Sequence, residues 1–271
     1  MYSDSHMHTA FSVDSQAEPA EMAEAAWKKG LPSVCFTDHM DKDYFEEGRE
    51  FVIDTPAYFA VTGKLKEDFQ GRMEIRTGIE LGLQPHLADF YRDYVQKWPF
   101  DYIIGSIHVI GGKDPYYDDF FEGISDREAY RMAFEETWEN IRLFQDFHAL
   151  GHMDYVVRYG KRQAEDYDPA QYGDLISEIL KELIYRGKGL ELNTGGLKYG
   201  LPFAHPHPWI LKRYRELGGE IVTLGADAHK PEHIAWEFGR AGEILESCGF
   251  RYYAEFTAGK PEFRKIAGNE A

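Results

Sequence analysis

The feature that most constrains the fold of this chain is a repeated alternation of short apolar segments with longer helix-forming segments. Residues 33–37 and 220–224 are compact and apolar, which is typical of buried strands. Residues 18–29 carry a proline and acids early, lysines late and a glycine directly afterwards, and these are helix start and stop signals. About seven strand and helix pairs follow one another with short connections, which favours parallel βαβ units in a barrel or a doubly wound sheet.

Three further elements are predicted in the second half of the chain. They are a long amphipathic helix over residues 126–148, a short strand over residues 149–153 and a final edge strand over residues 250–256.

Length and composition limit the organisation and the partners of the chain. Its 271 residues contain no low-complexity linker and no repeat, so we expect residues 1–271 to form a single domain. The formal charge of −17 argues against nucleic acid or an anionic membrane as partner. Two cysteines are too few for a disulfide framework, and we find neither a secretory leader nor a spanning apolar run. These features predict a soluble, cytoplasmic protein of unknown oligomeric state.

Residues that commonly bind metal ions stand at the carboxyl ends of the predicted strands. They are His6, His8, His39, Glu80, His108, His152, Asp227 and His229. In a barrel these strand ends meet on one face, where active sites are built from successive loops. A hydrogen-bonded structural role stays open for any one of these histidines, but the shared position of all six, with two carboxylates, indicates a metal site.

The opening segment carries the densest part of this pattern. His6 and His8 are two residues apart in a predicted strand, so both imidazoles point to the same face. Asp14 follows on the next loop and can bring a carboxylate to the same point. The remaining histidines lie at helix ends or in loops and are expected to be ordinary: His86, His148, His205, His207 and His233.

Six short motifs, in this order along the chain, resemble those of the PHP family, the polymerase and histidinol phosphatase phosphoesterases. The motifs are His6-x-His8, Thr37-Asp38-His39, Gly78-Ile79-Glu80, Ser106-Ile107-His108, Gly151-His152 and Gly225-Ala226-Asp227-Ala228-His229. The resemblance spans residues 6–229. It implies an α/β fold, a distorted (βα)7 TIM-like barrel of the PHP type, with three divalent metal ions that are zinc, manganese or iron.

The resemblance also implies a distribution of ligands among the three metal ions. The first ion would be held by His6, His8, Glu80 and Asp227. The second would share Glu80 and add His108 and His152, and the third would take Asp14, His39 and His229. Some relatives have a histidine where Asp14 stands, and a carboxylate is an equally suitable ligand. Asp4 and Asp38 are expected to orient imidazoles.

The chemistry expected of this site is hydrolysis of a phosphate monoester. Two metal ions bridged by Glu80 can share a water, lower its pKa and present a bridging hydroxide to phosphorus. Arg158 and Lys198 are the predicted phosphate contacts, by their positions after strand ends. The leaving alkoxide needs a proton, for which Asp227 or His229 is a candidate, so Glu80, Asp227 and His229 are the expected catalytic residues.

The length of the chain and the absence of an attached polymerase favour one activity within the family. This is hydrolysis of the small-molecule monoester L-histidinol phosphate to L-histidinol and phosphate, in histidine biosynthesis. Asp118 and Asp119 are candidates for an acidic pocket edge suited to an amino alcohol, and the loop over residues 111–123 is long enough to be a lid.

Three alternatives stay open. The chain could be another PHP phosphoesterase that acts on a nucleotide, a sugar phosphate or a phosphoprotein. It could be a non-catalytic metal-binding or partner-binding module, although every ligand position is filled. A metal-dependent amidohydrolase barrel shares the His-x-His motif but usually has a bridging lysine where Glu80 stands.

Overall fold

A computed structural model describes residues 2–46 and 48–266 of the chain. The strands of its main sheet are β1 (Asp4–Met7), β2 (Ser33–Phe36), β3 (His39–Glu46), β4 (Arg49–Phe51), β5 (Glu74–Gly82), β6 (Tyr102–Ser106), β7 (Ala149–Leu150), β8 (Gly189–Asn193) and β9 (Val222–Gly225). The helices in the described ranges are α1 (Pro19–Lys28), α2 (Thr55–Asp68), α3 (Ala88–Lys97), α4 (Asp126–Leu143), α5 (Gly173–Tyr185), α6 (Gly195–Lys198), α7 (Pro208–Glu216) and α8 (Phe238–Ser247).

Seven parallel strands form the wall of a barrel. Their order is β1, β2, β5, β6, β7, β8 and β9, and helices connect most successive strands. The last strand returns to the first through a parallel bridge between Met7 and Ala228, where His8 N donates to Ala228 O at 2.9 Å. The predicted (βα)7 barrel is confirmed, and an isolated bridge instead of a continuous ladder closes it at this seam.

Local sequence signals account for the helices that surround the barrel. Helix α4 begins with a capping box, in which Ser125 Oγ accepts from Glu128 N and the Glu128 carboxylate accepts from Ser125 N. Helix α5 buries Ile176, Ile179, Leu180 and Leu183 at helical spacing against the core. Burial of such stripes against the strands is the main stabilising term of the fold.

The structure differs from the sequence-based expectations at four elements. Strands β3 and β4 form an antiparallel hairpin that was not predicted. The strand expected over residues 149–153 covers only Ala149–Leu150, so His152 lies in the loop after β7. The helix expected over residues 126–148 ends at Leu143. The expected edge strand over residues 250–256 instead forms β10 (Tyr252–Thr257), which pairs with β11 (Lys260–Lys265) in a separate two-stranded sheet.

Two further expectations concern the chain as a whole. Across residues 2–46 and 48–266, no helix is both long enough and apolar enough to cross a membrane. The assignment of residues 1–271 to one domain stays a prediction, and Met1, Glu47 and residues 267–271 lie outside the described part of the chain.

Candidate metal centre

The imidazoles of His6 and His8 lie together at the end of β1. Both side chains are fully buried, and their Nε2 atoms are 3.0 Å apart. This separation is near the edge of a tetrahedron of nitrogens bound to zinc, about 3.3 Å for bonds of about 2.0 Å. The alternation of side chains along a strand therefore places two ligand atoms on one point, as the sequence predicted.

Glu80 is the centre of the cluster, because β5 carries its carboxylate into the barrel mouth beneath the surrounding imidazoles. Its Oε2 lies 3.1 Å from His6 Nε2, 3.3 Å from His8 Nε2 and 3.3 Å from His39 Nδ1. Its Oε1 lies 2.8 Å from His152 Nε2 and 3.3 Å from His108 Nε2. One carboxylate thus contacts five of the six predicted histidines, which is the position that a bridging ligand requires.

The remaining predicted ligands lie on the other side of His8. Asp227 Oδ1 is 3.4 Å from His8 Nε2 and 3.5 Å from His229 Nδ1. His229 Nε2 in turn is 3.0 Å from Asp14 Oδ2, which is 3.7 Å from His39 Nε2. The structure therefore brings all nine predicted metal-site residues into one contiguous cluster.

Asp4 and Asp38 do not orient imidazoles directly, contrary to the expectation. Asp4 accepts hydrogen bonds from main-chain amides, including Ala226 N at 3.0 Å and Ala235 N at 2.8 Å, and so fixes the loops at the barrel seam. Asp38 accepts from Ser12 Oγ at 2.7 Å, and the same Oγ lies 3.0 Å from His8 Nδ1. Asp38 therefore acts on His8 only through Ser12.

Two buried carboxylates that the sequence analysis missed contact the imidazoles instead. Glu191 Oε1 lies 2.6 Å from His6 Nδ1, and Asp41 Oδ2 lies 2.6 Å from His108 Nδ1. A carboxylate on Nδ1 fixes the tautomer that leaves Nε2 free to bind a metal ion. The signal was present for both residues, since Glu191 interrupts the apolar strand β8 and Asp41 follows His39 by two positions.

The pKa of each residue in the cluster depends strongly on the charges of its neighbours. Burial opposes the charged form of His6, but Glu191 and Glu80 raise its pKa well above the usual value. Burial likewise opposes ionisation of Glu80, yet His6 and His108 hold its pKa well below the usual value. Burial, and then the neighbouring imidazoles, lower the pKa of His8. Buried carboxylates here stay ionised only because positive charge faces them.

These residues fit divalent metal ions. His39 Nδ1 and Asp41 Oδ1 are buried, face each other at 3.5 Å and, within the described chain, have no hydrogen-bond partner. Such unpartnered buried atoms are costly unless a ligand satisfies them. Among the described residues there are five overlapping groups of three potential ligand atoms, and the atoms of each group lie within 4.8 Å of one another. Every group combines an imidazole nitrogen with further imidazole or carboxylate atoms. That donor set suits zinc, manganese and iron.

A cavity of about 450 Å³ opens above the cluster and gives it access to solvent. Arg158 lines this cavity, and its guanidinium lies 4.7 Å from the ring centroid of Tyr155, 4.8 Å from that of Tyr159 and 4.1 Å from that of Tyr199. Stacking on three rings holds the guanidinium in place. Lys198 is not in the wall of the cavity, and its Nζ donates to Asp227 O at 2.7 Å.

Comparisons with known proteins agree with this geometry. Residues 4–195 match the model of the PHP domain family. A protein of Clostridium acetobutylicum named "Probable histidinol-phosphatase" is 32% identical over 251 residues, which make up 93% of this chain and 95% of that protein. The histidinol-phosphatase of Lactococcus lactis subsp. lactis is 29% identical over 264 residues, or 97% of each protein.

A solved structure extends the similarity to three dimensions. It is the crystal structure of histidinol phosphate phosphatase from Lactococcus lactis subsp. lactis, complexed with zinc, L-histidinol and phosphate. The two folds superpose with a TM-score of 0.88 at 28% identity, over 97% of this chain and 100% of that one. Since the family match covers most of the chain and all the barrel strands except the last, this chain belongs to the PHP domain family.

Proposed function

We propose that this chain hydrolyses L-histidinol phosphate to L-histidinol and phosphate in histidine biosynthesis. One observation carries the proposal: a complete cluster around Glu80 stands in a chain that is similar, over 97% of its length, to an enzyme solved with zinc, L-histidinol and phosphate. A phosphatase needs positive charge facing a phosphate dianion. The cluster offers ligands for several divalent ions at the floor of an open cavity.

The ligand set that we propose accommodates three metal ions. His6, His8, Glu80 and Asp227 would hold the first ion, Glu80, His108 and His152 the second, and Asp14, His39 and His229 the third. The contacts of both Glu80 oxygens support its proposed bridging position. When bound, divalent ions supply Lewis acidity and lower the pKa of water toward neutrality.

Arg158 is the proposed phosphate contact among the side chains of the cavity wall. Its planar guanidinium can donate two parallel hydrogen bonds to phosphate oxygens, and the three tyrosine rings limit its motion before the substrate arrives. The predicted contact from Lys198 stays a proposal. Lys198 Nζ donates to the main-chain oxygen of Asp227, and Lys198 therefore holds the loop that carries Asp227.

The leaving alkoxide needs a proton, and His229 is the proposed donor. Its side chain is about one fifth exposed and lines the cavity, whereas His6 and His8 are fully buried beneath it. Asp14 lies 3.0 Å from His229 Nε2, and Asp227 lies 3.5 Å from its Nδ1. His229 can donate a proton only from a ring nitrogen that holds no metal ion, so proton donation and binding of the third ion are alternative roles for this side chain.

The test is phosphate release by the manganese- or zinc-loaded protein from L-histidinol phosphate, compared with nucleotides, sugar phosphates and p-nitrophenyl phosphate. We expect kcat/KM for L-histidinol phosphate to exceed the others by at least about a thousandfold. The variant Glu80→Gln should lose activity toward every substrate, because an amide could not replace a carboxylate that would hold two ions. Equal turnover of all substrates would contradict the assignment of the substrate, and an active Glu80→Gln protein would contradict the mechanism.

A further inference from the structure

The charged side chains around the cavity are not evenly distributed. Glu46 and Asp114 lie on the side formed by the β3–β4 hairpin and the loop after β6. Arg158 and Lys230 come from the loops after β7 and β9. The order of the barrel strands therefore gives the mouth an acidic side and a basic side.

The two carboxylates on the acidic side are held by neutral groups. Asp114 Oδ2 accepts from the Tyr44 hydroxyl at 2.6 Å, and Asp114 Oδ1 accepts from Tyr116 N at 2.8 Å. Glu46 Oε1 accepts from the Tyr117 hydroxyl at 3.2 Å. These contacts fix the carboxylates in position but do not neutralise their charge.

The carboxylates deeper in the cavity are in a different situation. Asp14, Asp41, Glu80 and Asp227 each lie within 4 Å of at least one imidazole nitrogen. Within the described chain, neither Glu46 nor Asp114 forms an ion pair with lysine, arginine or histidine. The acidic side thus carries two carboxylates whose hydrogen-bond partners are neutral, in the wall of the same cavity as the metal cluster.

Asp114 is partly buried in the wall of the cavity. Burial raises the pKa of the Asp114 carboxyl, because few solvent molecules reach it. The hydrogen bond from the Tyr44 hydroxyl opposes this shift and lowers the pKa of Asp114 in favour of the carboxylate. A cation placed here would be attracted more strongly than at an exposed carboxylate.

L-histidinol phosphate has charges that match this arrangement. Its phosphate is a dianion, and its ammonium group is on the carbon next to the phosphorylated methylene. With the phosphate on the metal cluster and Arg158, the ammonium group, four bonds from phosphorus, would remain in the same cavity, where, among the described residues, Glu46 and Asp114 are the carboxylates without an ion pair. Aromatic side chains form the adjacent wall, where Tyr44 packs on Phe51 with ring centroids 4.8 Å apart.

We propose that Asp114, assisted by Glu46, binds the substrate ammonium group and so selects amino-alcohol phosphates over other monoesters. The inference rests on the proposed function and adds the residues that determine its specificity. It also replaces the expected acidic edge at Asp118 and Asp119. Asp119 instead pairs with Lys113 at 3.1 Å, and both aspartates are exposed outside the wall of this cavity.

The test compares two substrates that differ only in the ammonium group: L-histidinol phosphate and its deamino analogue, 3-(imidazol-4-yl)propyl phosphate. For Asp114→Asn we expect kcat/KM for L-histidinol phosphate to fall by about 10- to 100-fold, with the deamino analogue changed by less than about threefold. Glu46→Gln should show the same selectivity with a smaller loss. Asp118→Asn removes the same charge nearby and should leave both substrates unchanged.

The outcomes separate this inference from the proposed function. Wild-type preference for L-histidinol phosphate with no selective loss in Asp114→Asn would overturn the ammonium site and leave the function standing. Equal losses for both substrates would also overturn it, because they would indicate damage to the cluster or the fold. No wild-type activity on L-histidinol phosphate, with turnover of other monoesters, would overturn the proposed function itself.

Discussion

At the scale of single residues, the candidate site is a set of imidazoles whose orientation depends on buried carboxylates. Asp41 is the clearest case, because its two oxygens face two different histidines. Oδ2 lies 2.6 Å from His108 Nδ1, and Oδ1 lies 3.5 Å from His39 Nδ1. Asp41 therefore acts on residues that we assign to two different metal ions, and it couples the two parts of the cluster.

The variant Asp41→Asn should weaken metal binding by about 10- to 100-fold, because the loss of charge lowers the basicity of both imidazoles. The measurement is zinc affinity by competition with a chromophoric chelator. Asp43→Asn is a suitable control, since Asp43 is exposed on the same strand and contacts His86 at the surface. Zinc affinity equal to that of the wild type in Asp41→Asn would show that Asp41 does not position ligands.

The sequence identified the residues of the Glu80 cluster better than the carboxylates that contact them, and their binding of metal ions stays a prediction. Nine residues stand at strand ends or on a following loop, and the barrel topology alone brings strand ends together. The supporting carboxylates make contacts between distant strands, such as Glu191 of β8 with His6 of β1. Without an explicit arrangement of the strands, no spacing in the sequence identifies such a pair.

At the scale of elements, the β3–β4 hairpin is the largest departure from a regular barrel. Its sequence after Asp41 is polar and only partly buried, so its hydrophobic pattern is too weak to predict a strand. Pairing of His39 with Glu80 attaches the hairpin to β5. The hairpin carries Asp41, Tyr44 and Glu46 to the cavity, and it therefore determines much of the mouth.

Gly82 sets the distance between the hairpin and β5. A Cβ atom at this position would lie 2.4 Å from Asp41 Cγ. We therefore expect Gly82→Ala to displace Asp41 and to reduce the free energy of unfolding by about 1–3 kcal/mol, with weaker zinc binding. Urea denaturation and chelator competition measure the two effects.

Gly63→Ala is the matched control for this substitution. Gly63 lies within α2 with open space around its Cα, so alanine there should stabilise the chain by about 0.5–1 kcal/mol. If Gly82→Ala were as stable as the wild type and bound zinc equally well, close packing of β5 against Asp41 would not be required.

His148 gives the opposite end of the barrel a defined pH dependence. Burial, and then Lys188, lower its pKa to about 4, and its Nδ1 accepts from Ile103 N at 2.9 Å. Since the unfolded chain binds this proton more tightly than the folded one, the stability from neutral His148 is present above about pH 6.5 and lost as the pH falls toward 4.

The variant His148→Gln should therefore show a smaller loss of stability on acidification. Between pH 7 and pH 5, we expect its unfolding free energy to fall by about 2 kcal/mol less than that of the wild type. Urea denaturation of both metal-free proteins at the two pH values measures this difference. The same pH dependence in both proteins would show that His148 titrates normally in the folded state.

At the scale of the whole molecule, the chain combines a formal charge of −17 with several buried carboxylates around one cluster. Bound divalent ions would offset part of the net negative charge and part of the repulsion among the buried carboxylates. A ligand that binds only the folded state also stabilises that state by mass action. We expect removal of metal by a chelator to lower the Tm by at least about 5 °C, and added zinc or manganese to restore it. Differential scanning calorimetry measures the change, and an unchanged Tm would argue against a metal-linked fold.

The central claim is that the cluster around Glu80 is a metal centre that hydrolyses L-histidinol phosphate. The most direct measurement is a titration of metal-free protein with zinc or manganese, in which phosphate release from L-histidinol phosphate is followed against metal equivalents per chain. The account predicts no activity without metal, and a rise that reaches its plateau near three equivalents. Full activity in the metal-free protein, or no activity at any metal content, would contradict it.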